Sequence, residues 1–414
     1  MARIRSLGDV VDWDLCTGCG ACYYACSEGA ITLVNIRSVG IRPQFDSSSC
    51  AGCTKCLSIC PGYIVDVATE YPPASSDAEH AFGSALEIWE GNASDSEIRY
   101  RASSGGILTA LALYCLEREN MNFVLHTSMN EERPWENKTV TSRTREELVA
   151  RSGSRYAPAS PCEDLGAIEE SDRPCVFIGK PCDVAAVSML RRDRPKLDSN
   201  LGLVLSFFCA GTPSTQGTLD LAASLKVLPD QIDSIRYRGE GWPGRFKIAY
   251  DGKRHEQSLS YGESWGELTH YRPLRCNLCP DGLGRLADIS CGDAWENSPD
   301  NGNPGLSLVI VRTARGQKIL RGAIATNYVQ LHPVAAANVF AAQSNLLRRR
   351  TELFGRLIGL RLFGIPIPRF VGFSLVRSWL QIPLPQKAKT ILGTVKRVMV
   401  RRLYARRSNS SQII

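Results

Sequence analysis

The sequence predicts an α/β chain, α+β overall, in which a small cysteine-rich domain precedes a larger domain built on a mixed, mostly parallel sheet with a β-hairpin insertion. Three observations carry that reading. Eight of the 16 cysteines fall into two runs of the same spacing, offset by 34 residues, which marks an internally repeated unit. Two later stretches, Cys175–Gly179 and Leu203–Phe208 with the residues after them, each read strand, loop, helix, the pattern of parallel strands with helices on them. Asp251-Gly252 between the short runs Phe246–Tyr250 and Leu259–Tyr261 marks a hairpin.

The cysteine runs are Cys16-x-x-Cys19-x-x-Cys22-x-x-x-Cys26 and Cys50-x-x-Cys53-x-x-Cys56-x-x-x-Cys60-Pro61, the two-cluster bacterial ferredoxin pattern. Three thiolates at this spacing wrap three corners of a cubane, and the fourth reaches across to the other one. Cys16, Cys19, Cys22 and Cys60 are therefore expected to hold one [4Fe-4S] cluster, and Cys50, Cys53, Cys56 and Cys26 a second. A zinc site has no use for triplets followed by a fourth thiolate at fixed distance. Ser27 stands where the second copy has Pro61, a departure that touches the turn and not a ligand. Each copy runs into an apolar stretch, Ala30–Val34 and Tyr63–Val67, expected as a short strand. The expected ferredoxin-like domain is residues 1–70, and the Pro- and Ser-rich stretch 71–82 reads as a linker.

A length of 414 residues suggests two or three domains. Residues Met1–Leu15 carry Asp9, Asp12 and Asp14 and no apolar core of a signal peptide, and the longest apolar run, Leu201–Ala210, is too short to span a bilayer. The expectation is a cytoplasmic protein whose thiols serve metal and packing, not disulfides. Its net charge of +7 is unevenly spread: residues 345–414 hold 15 Lys or Arg against the single acid Glu352, a balance of +14, and the rest of the chain is acidic at −7.

Within the larger domain, Arg101-Ala-Ser-Ser-Gly-Gly106 leads into the apolar stretch Ile107–Glu117, a buried helix. Its start reads either as a phosphate seat for a nucleotide cofactor or as an ordinary capped helix packed through small residues. The strand Cys175–Gly179 ends in Lys180-Pro-Cys182-Asp183, which places Lys180 and Cys182 at the carboxyl end of a strand, where open α/β sheets bind ligands. Cys276, Cys279 and Cys291 complete with Cys182 a four-thiol set for a third [4Fe-4S] cluster; a zinc site or reduced core thiols are the alternatives. Cys115, Cys162, Cys175 and Cys209 read as structural. Trp242-Pro-Gly244 either covers an aromatic cofactor or packs on its own hairpin. Beyond the loop Ser298–Gly305, Leu306–Val311 is a buried strand and Gln317–Ile324 a helix.

The region 341–414 alternates apolar clusters (Leu357–Leu362, Phe370–Leu375, Ile391–Leu392) with Arg and Lys. Such a basic amphipathic tail suits an anionic membrane surface, making the protein peripheral on the inner membrane face, or docking on an acidic partner. Its apolar clusters disfavour nucleic acid.

Several segments occur together and in order: Ser104-Gly-Gly-Ile-Leu-Thr-Ala-Leu111, Gly153-Ser-Arg-Tyr-Ala-Pro158, Gly179-Lys-Pro-Cys-Asp183, Phe208-Cys-Ala-Gly-Thr-Pro-Ser214, Tyr237-Arg-Gly239, Arg275-Cys-x-x-Cys279-x-Asp281 and Ala287-Asp-Ile-Ser-x-Gly-Asp-Ala-Trp295. From about Ala85 to Val334 the chain thereby resembles the beta-subunit family of coenzyme F420 hydrogenases and dehydrogenases. The resemblance implies an FAD-binding α/β domain, here 83–175 and 176–340, with an iron-sulfur cluster inside it. It makes Ser104, Gly105, Gly106 and Lys180 flavin contacts, and Cys182, Cys276, Cys279 and Cys291 the inner ligands. Asp183 and Asp293 are assigned to orienting polar groups near the flavin ring. No acid or base is identified.

The implied activity is an oxidoreductase that couples single-electron transfer through clusters to hydride chemistry at FAD. Its partners would be a redox protein or ferredoxin on one side and coenzyme F420 or another organic two-electron substrate on the other. The competing expectations are an electron-wiring subunit with no substrate of its own and an iron-sulfur protein that binds nucleic acid through the tail.

Overall fold

Alternation decides the central layer. In the run Cys175–Gly179, Val176 points into one core with Leu203, Leu205 and the helix Ile107–Glu117, while its neighbour Phe177 points into another with Val204 and the helix Pro181–Arg191. Successive strand residues face opposite sides, so a run apolar at every position belongs to a sheet covered on both faces. The computed structural model describes residues 3–295 and 304–405. Positions 298–303 of the expected loop Ser298–Gly305 and the last nine positions of the tail, 406–414, lie outside the described residues.

The strands are β1 (Ile31–Ile36), β2 (Gly40–Phe45), β3 (Ile64–Asp66), β4 (Glu87–Ala93), β5 (Val124–Met129), β6 (Asn137–Ser142), β7 (Cys175–Gly179), β8 (Leu201–Phe207), β9 (Ile232–Arg236), β10 (Arg245–Tyr250), β11 (His255–Ser260), β12 (Ile289–Asp293), β13 (Ser307–Val311), β14 (Val329–Pro333) and β15 (Arg369–Val371). Eight of them form one sheet in the order β14-β4-β13-β12-β8-β7-β5-β6. Its centre, β12-β8-β7-β5, is parallel; β13, β14 and β6 run the other way. Five of the eight strands share a direction, the mixed, mostly parallel sheet that the strand–loop–helix units require. The expected hairpin is β10–β11, turning through Asp251-Gly252, and β9 joins it as a third antiparallel strand. A core of Ile235, Tyr237, Phe246, Ile248 and Leu268 sits beneath it.

The apolar strands of the cysteine repeat take different partners: β1 turns back on β2, whereas β3 pairs in parallel with β15 of the basic region, and two expectations change. The basic region is accordingly no free tail up to that point. Leu353, Leu357, Leu360, Ile365 and Phe373 share one core with Leu7, Val10, Leu15, Leu57 and Val65, each fully buried side chain contributing roughly 2 kcal/mol. Most of two of its apolar clusters thus packs against the cysteine-rich domain, Leu357, Leu360, Phe373 and Leu375 among it. The stretch 71–82 is only partly a linker, because Ser76 caps a helix Asp77–Phe82 whose Phe82 is buried with Leu308 and Ile310.

Candidate functional site

The first cysteine set is enclosed. Cys16, Cys19, Cys22 and Cys60 are each 7% exposed and line one pocket, whose other walls include Leu7, Leu33, Pro43 and Ile59. Gly18 N–H donates to Cys16 Sγ at 3.4 Å. Burial pushes the Cys16, Cys22 and Cys60 thiols up, so these sulfurs hold their protons until a metal displaces them. Cys19 goes the other way, because a hydrogen bond from the Cys162 thiol favours its thiolate. The Cys162 amide also donates to the Cys19 carbonyl at 3.0 Å, so the segment Ser160–Asp164 clamps the first cysteine loop.

The second set is open. Cys50 and Cys53 are exposed and Cys26 and Cys56 half-buried; Cys56 lies within electrostatic reach of the other three. Cys22 in turn feels Cys56, which puts the two sets side by side, as the interleaved spacing demands.

A third set lies on the other side of Cys16. A cleft of about 620 Å³, part of it open to solvent, is lined by Cys182, Cys209, Cys276 and Cys279 together with Cys16 and Thr17. Cys182 and Cys209 follow directly on β7 and β8, neighbouring parallel strands, while Cys276 and Cys279 come from the short helix Leu274–Asn277 and the turn after it. Backbone amides point at the sulfurs: Thr212 N–H reaches Cys276 Sγ at 3.5 Å, and the amides of Gly211 and Asp281 favour the thiolates of Cys209 and Cys279. Burial nevertheless raises Cys209, to about 12. Arg42, Arg275 and Arg349 line the same cleft, and the Nε atoms of Arg42 and Arg275 are buried without a protein partner. Four thiols facing three guanidinium groups fit an anionic metal–thiolate cluster, since buried charge needs compensation.

Cys291 does not belong to this set. It sits in the middle of β12 opposite Val309, buried in the apolar core with Leu203 and Leu205, and burial alone raises its thiol. The cleft thus gathers Cys182, Cys276 and Cys279 with Cys209, which reads as structural in the sequence, and not with Cys291. The signal was present: Cys209 ends its strand as Lys180-Pro-Cys182 ends the neighbouring one.

The polar residues fall into two groups. Lys180 is buried at the carboxyl end of β7, with Nζ 2.8 Å from Asp183 and 3.1 Å from the Ala159 carbonyl. Burial opposes its charge, but the Asp183 carboxylate beside it prevails and holds its pKa above that of an ordinary lysine. Asp183 Oδ1 is buried without a partner.

Ser104, Gly105, Gly106 and Asp293 form the second group, joined through Ser307. Gly105 N–H donates to Ser307 Oγ at 2.9 Å, and Ser307 pairs with Asp293 across β12–β13. A Cβ on Gly105 would lie 2.5 Å from the Gly91 carbonyl, and Ser104 Oγ donates to the Leu306 carbonyl. Ser104 and Gly105 thus fasten the helix start to the sheet, which is the packing reading of this turn; Gly106, at φ +82°, is the N-cap. Asp293 accepts two hydrogen bonds from the buried Arg238, at 2.9 and 2.7 Å, and one from Trp242 Nε1 at 2.8 Å. Arg238 stacks on Tyr261 and Trp295, and Trp242 packs on Trp295. The hairpin's Trp242 thus packs over the end of β12 and not on the hairpin itself. Arg99, which donates to the Gly305 carbonyl nearby, keeps a buried Nε without partner. Aromatic faces beside unmatched donors suit a planar anionic ligand.

Comparisons with known proteins match three stretches of the chain. Models described as coenzyme F420 hydrogenase/dehydrogenase, beta subunit N-term and C terminus, match residues 88–165 and 172–337, and a 4Fe-4S dicluster domain model matches 15–64. The chain is 24% identical over 325 residues to one of the subunits of the F420H2 dehydrogenase of Methanosarcina mazei, covering 75% of this chain and 83% of that protein. It is 27% identical over 255 residues to the beta subunit of the coenzyme F420 hydrogenase of Methanosarcina barkeri, covering 58% and 79%. Among solved structures, a chain of the F420-reducing NiFe hydrogenase complex of Methanosarcina barkeri matches the fold with a TM-score of 0.53 at 21% identity, covering 68% of this chain and 91% of that one.

Proposed function

The chain belongs to the coenzyme F420 hydrogenase/dehydrogenase beta-subunit family and carries a 4Fe-4S dicluster domain, and from that premise we propose an oxidoreductase subunit in which single-electron transfer meets hydride chemistry. The observation that carries the reading is a shared wall: Cys16 and Thr17 line both the first thiol set and the inner one. With the open set beside Cys22, the twelve cysteines form a line of three sets running from the surface to the carboxyl ends of β7 and β8. Bound along this line, [4Fe-4S] clusters would supply one-electron transfer, and FAD beside them the exchange of electrons in pairs.

The chain's own residues have definite tasks in this proposal. Cys182, Cys209, Cys276 and Cys279 hold the inner cluster, with Arg42, Arg275 and Arg349 offsetting its charge. Lys180, fixed by Asp183, places a positive charge between that set and the sheet. The flavin is assigned to the ground between Lys180–Asp183 and Asp293, where Trp242 and Trp295 exclude water and Arg238 holds Asp293 in place through two hydrogen bonds; the Ser104-Gly105-Gly106 turn closes the side towards β13. The names of the relatives support coenzyme F420 as the organic partner, and the exposed Cys50–Cys53 end suits a redox protein or ferredoxin.

The engagement of Gly105 by Ser307 favours a second reading, a wiring subunit without flavin of its own. Anaerobically purified protein decides between them. The main reading expects flavin absorbance that bleaches with reduced F420, NADH or reduced ferredoxin; clusters without flavin would leave the wiring subunit.

A further inference from the structure

The helix Leu384–Val400 carries large apolar side chains on its exposed side as well as on its packed one. Thr390 and Thr394 are 8% and 5% exposed and face the helix Leu353–Arg361, where a Cβ on Gly359 would stand 2.8 Å from Thr394 Cβ. Val398, one turn further on, is fully buried in the core shared with the cysteine-rich domain, so Thr390, Thr394 and Val398 form the packed side. Leu384, Leu392, Met399 and Val400 are 78%, 65%, 53% and 73% exposed. Their spacing puts them on one side of the helix. Leu380 and Val376 of the preceding helix are exposed as well, and of the 15 large hydrophobic side chains exposed among the described residues, eight lie between 362 and 404. Exposed apolar side chains concentrated in one stretch of chain point to a binding face.

Charge selects the occupant. No Asp or Glu follows Glu352, whereas Lys389, Lys396, Arg397, Arg401 and Arg402 lie on or just beyond the helix. The exposed row is aliphatic, with lysine and arginine beside it, whereas protein interfaces centre on aromatic anchors. Aliphatic groups rimmed by cations of one sign complement acyl chains under anionic headgroups. No helix is long and apolar enough to cross a membrane among the described residues.

We propose that this face seats the protein on an anionic lipid surface, with the helix Leu384–Val400 lying in the headgroup plane. The packing of Thr390 and Thr394 fixes the face relative to the cysteine-rich domain, so the attachment is built into the fold and does not depend on which reaction the clusters serve.

The test is flotation of the full chain with vesicles of phosphatidylcholine, alone or mixed with phosphatidylglycerol. Binding to the mixed vesicles is expected to be at least about tenfold tighter than to the neutral ones and to weaken with salt. The double variant Leu392→Glu/Met399→Glu, changed only at exposed positions, is expected to lose binding while keeping wild-type circular dichroism. Leu228→Glu, 60% exposed elsewhere on the surface, is expected to bind as wild type. Equal binding to both vesicles, no binding, or binding that survives the double variant overturns the proposal. So does self-association, or a stable complex with a protein, that the same double variant abolishes while vesicle binding is absent.

Discussion

Gly20 and Thr54 occupy the same place in the two copies of the cysteine repeat, and both are left-handed, at φ +85° and +59°. What surrounds them is opposite. A Cβ on Gly20 would meet Glu163 N at 2.9 Å and the Ser160 carbonyl at 3.0 Å, whereas Thr54 carries a side chain in the open. The next residues repeat the contrast: Ala21 is fully buried and Lys55 exposed. Two nearly identical ligand frames have therefore been given different neighbours. The first is clamped by Ser160–Asp164 of the large domain and shares a wall with the inner thiol set; the second faces solvent. Ligand spacing fixes what each copy holds, and packing fixes which end of the line it becomes.

The clamp gives the largest expected effect. Gly20→Thr forces a branched side chain into the docked segment and should destabilise the protein by roughly 2–4 kcal/mol, seen as a lowered thermal midpoint; a wild-type midpoint would break the contrast. Exposure gives the next. A chelator should strip one cluster's worth of iron from the Cys26, Cys50, Cys53 and Cys56 set on the order of tenfold faster than the rest, followed as biphasic loss of absorbance, and a single phase would count against two environments. Cys162 gives a smaller effect. Cys162→Ala removes the donor to Cys19 and should lower the midpoint potential of the neighbouring cluster by tens of mV, at roughly constant iron content; redox titration followed by electron paramagnetic resonance measures it, and an unmoved potential would remove Cys162 from the site. Thr54→Gly should be the mildest, neutral or stabilising by up to about 1 kcal/mol because it relieves a left-handed β-branched residue; a marked loss of stability would mean that the second copy is also docked.

Legibility followed the range of the interactions. The cysteine spacing, the helix Ile107–Glu117, the strand Cys175–Gly179 and the Asp251-Gly252 hairpin are local patterns, and each stands where the chain pattern put it. The pairing of β3 with β15 joins residues about 300 positions apart, which no local pattern announces, so the basic region read as a tail and not as the third wall of the cysteine-rich domain. Cys209 and Cys291 differ by position along a strand. A thiol just past a strand end faces the ligand side of the sheet, while one at mid-strand faces the core. Spacing within Cys276–Cys291 carried no such information, and the strand ends did. Ser104 and Gly105 show a motif whose small residues are explained by close approach to Gly91 and Ser307 before any ligand is invoked.

The most direct measurement is the iron and acid-labile sulfide content of anaerobically purified protein, compared with its Cys209→Ser and Cys291→Ser variants. Three cubane sites correspond to about twelve irons per chain. The account predicts that number for the wild type, about four fewer for Cys209→Ser, and no loss for Cys291→Ser. Eight irons in the wild type, or a loss that follows Cys291 and spares Cys209, would contradict it.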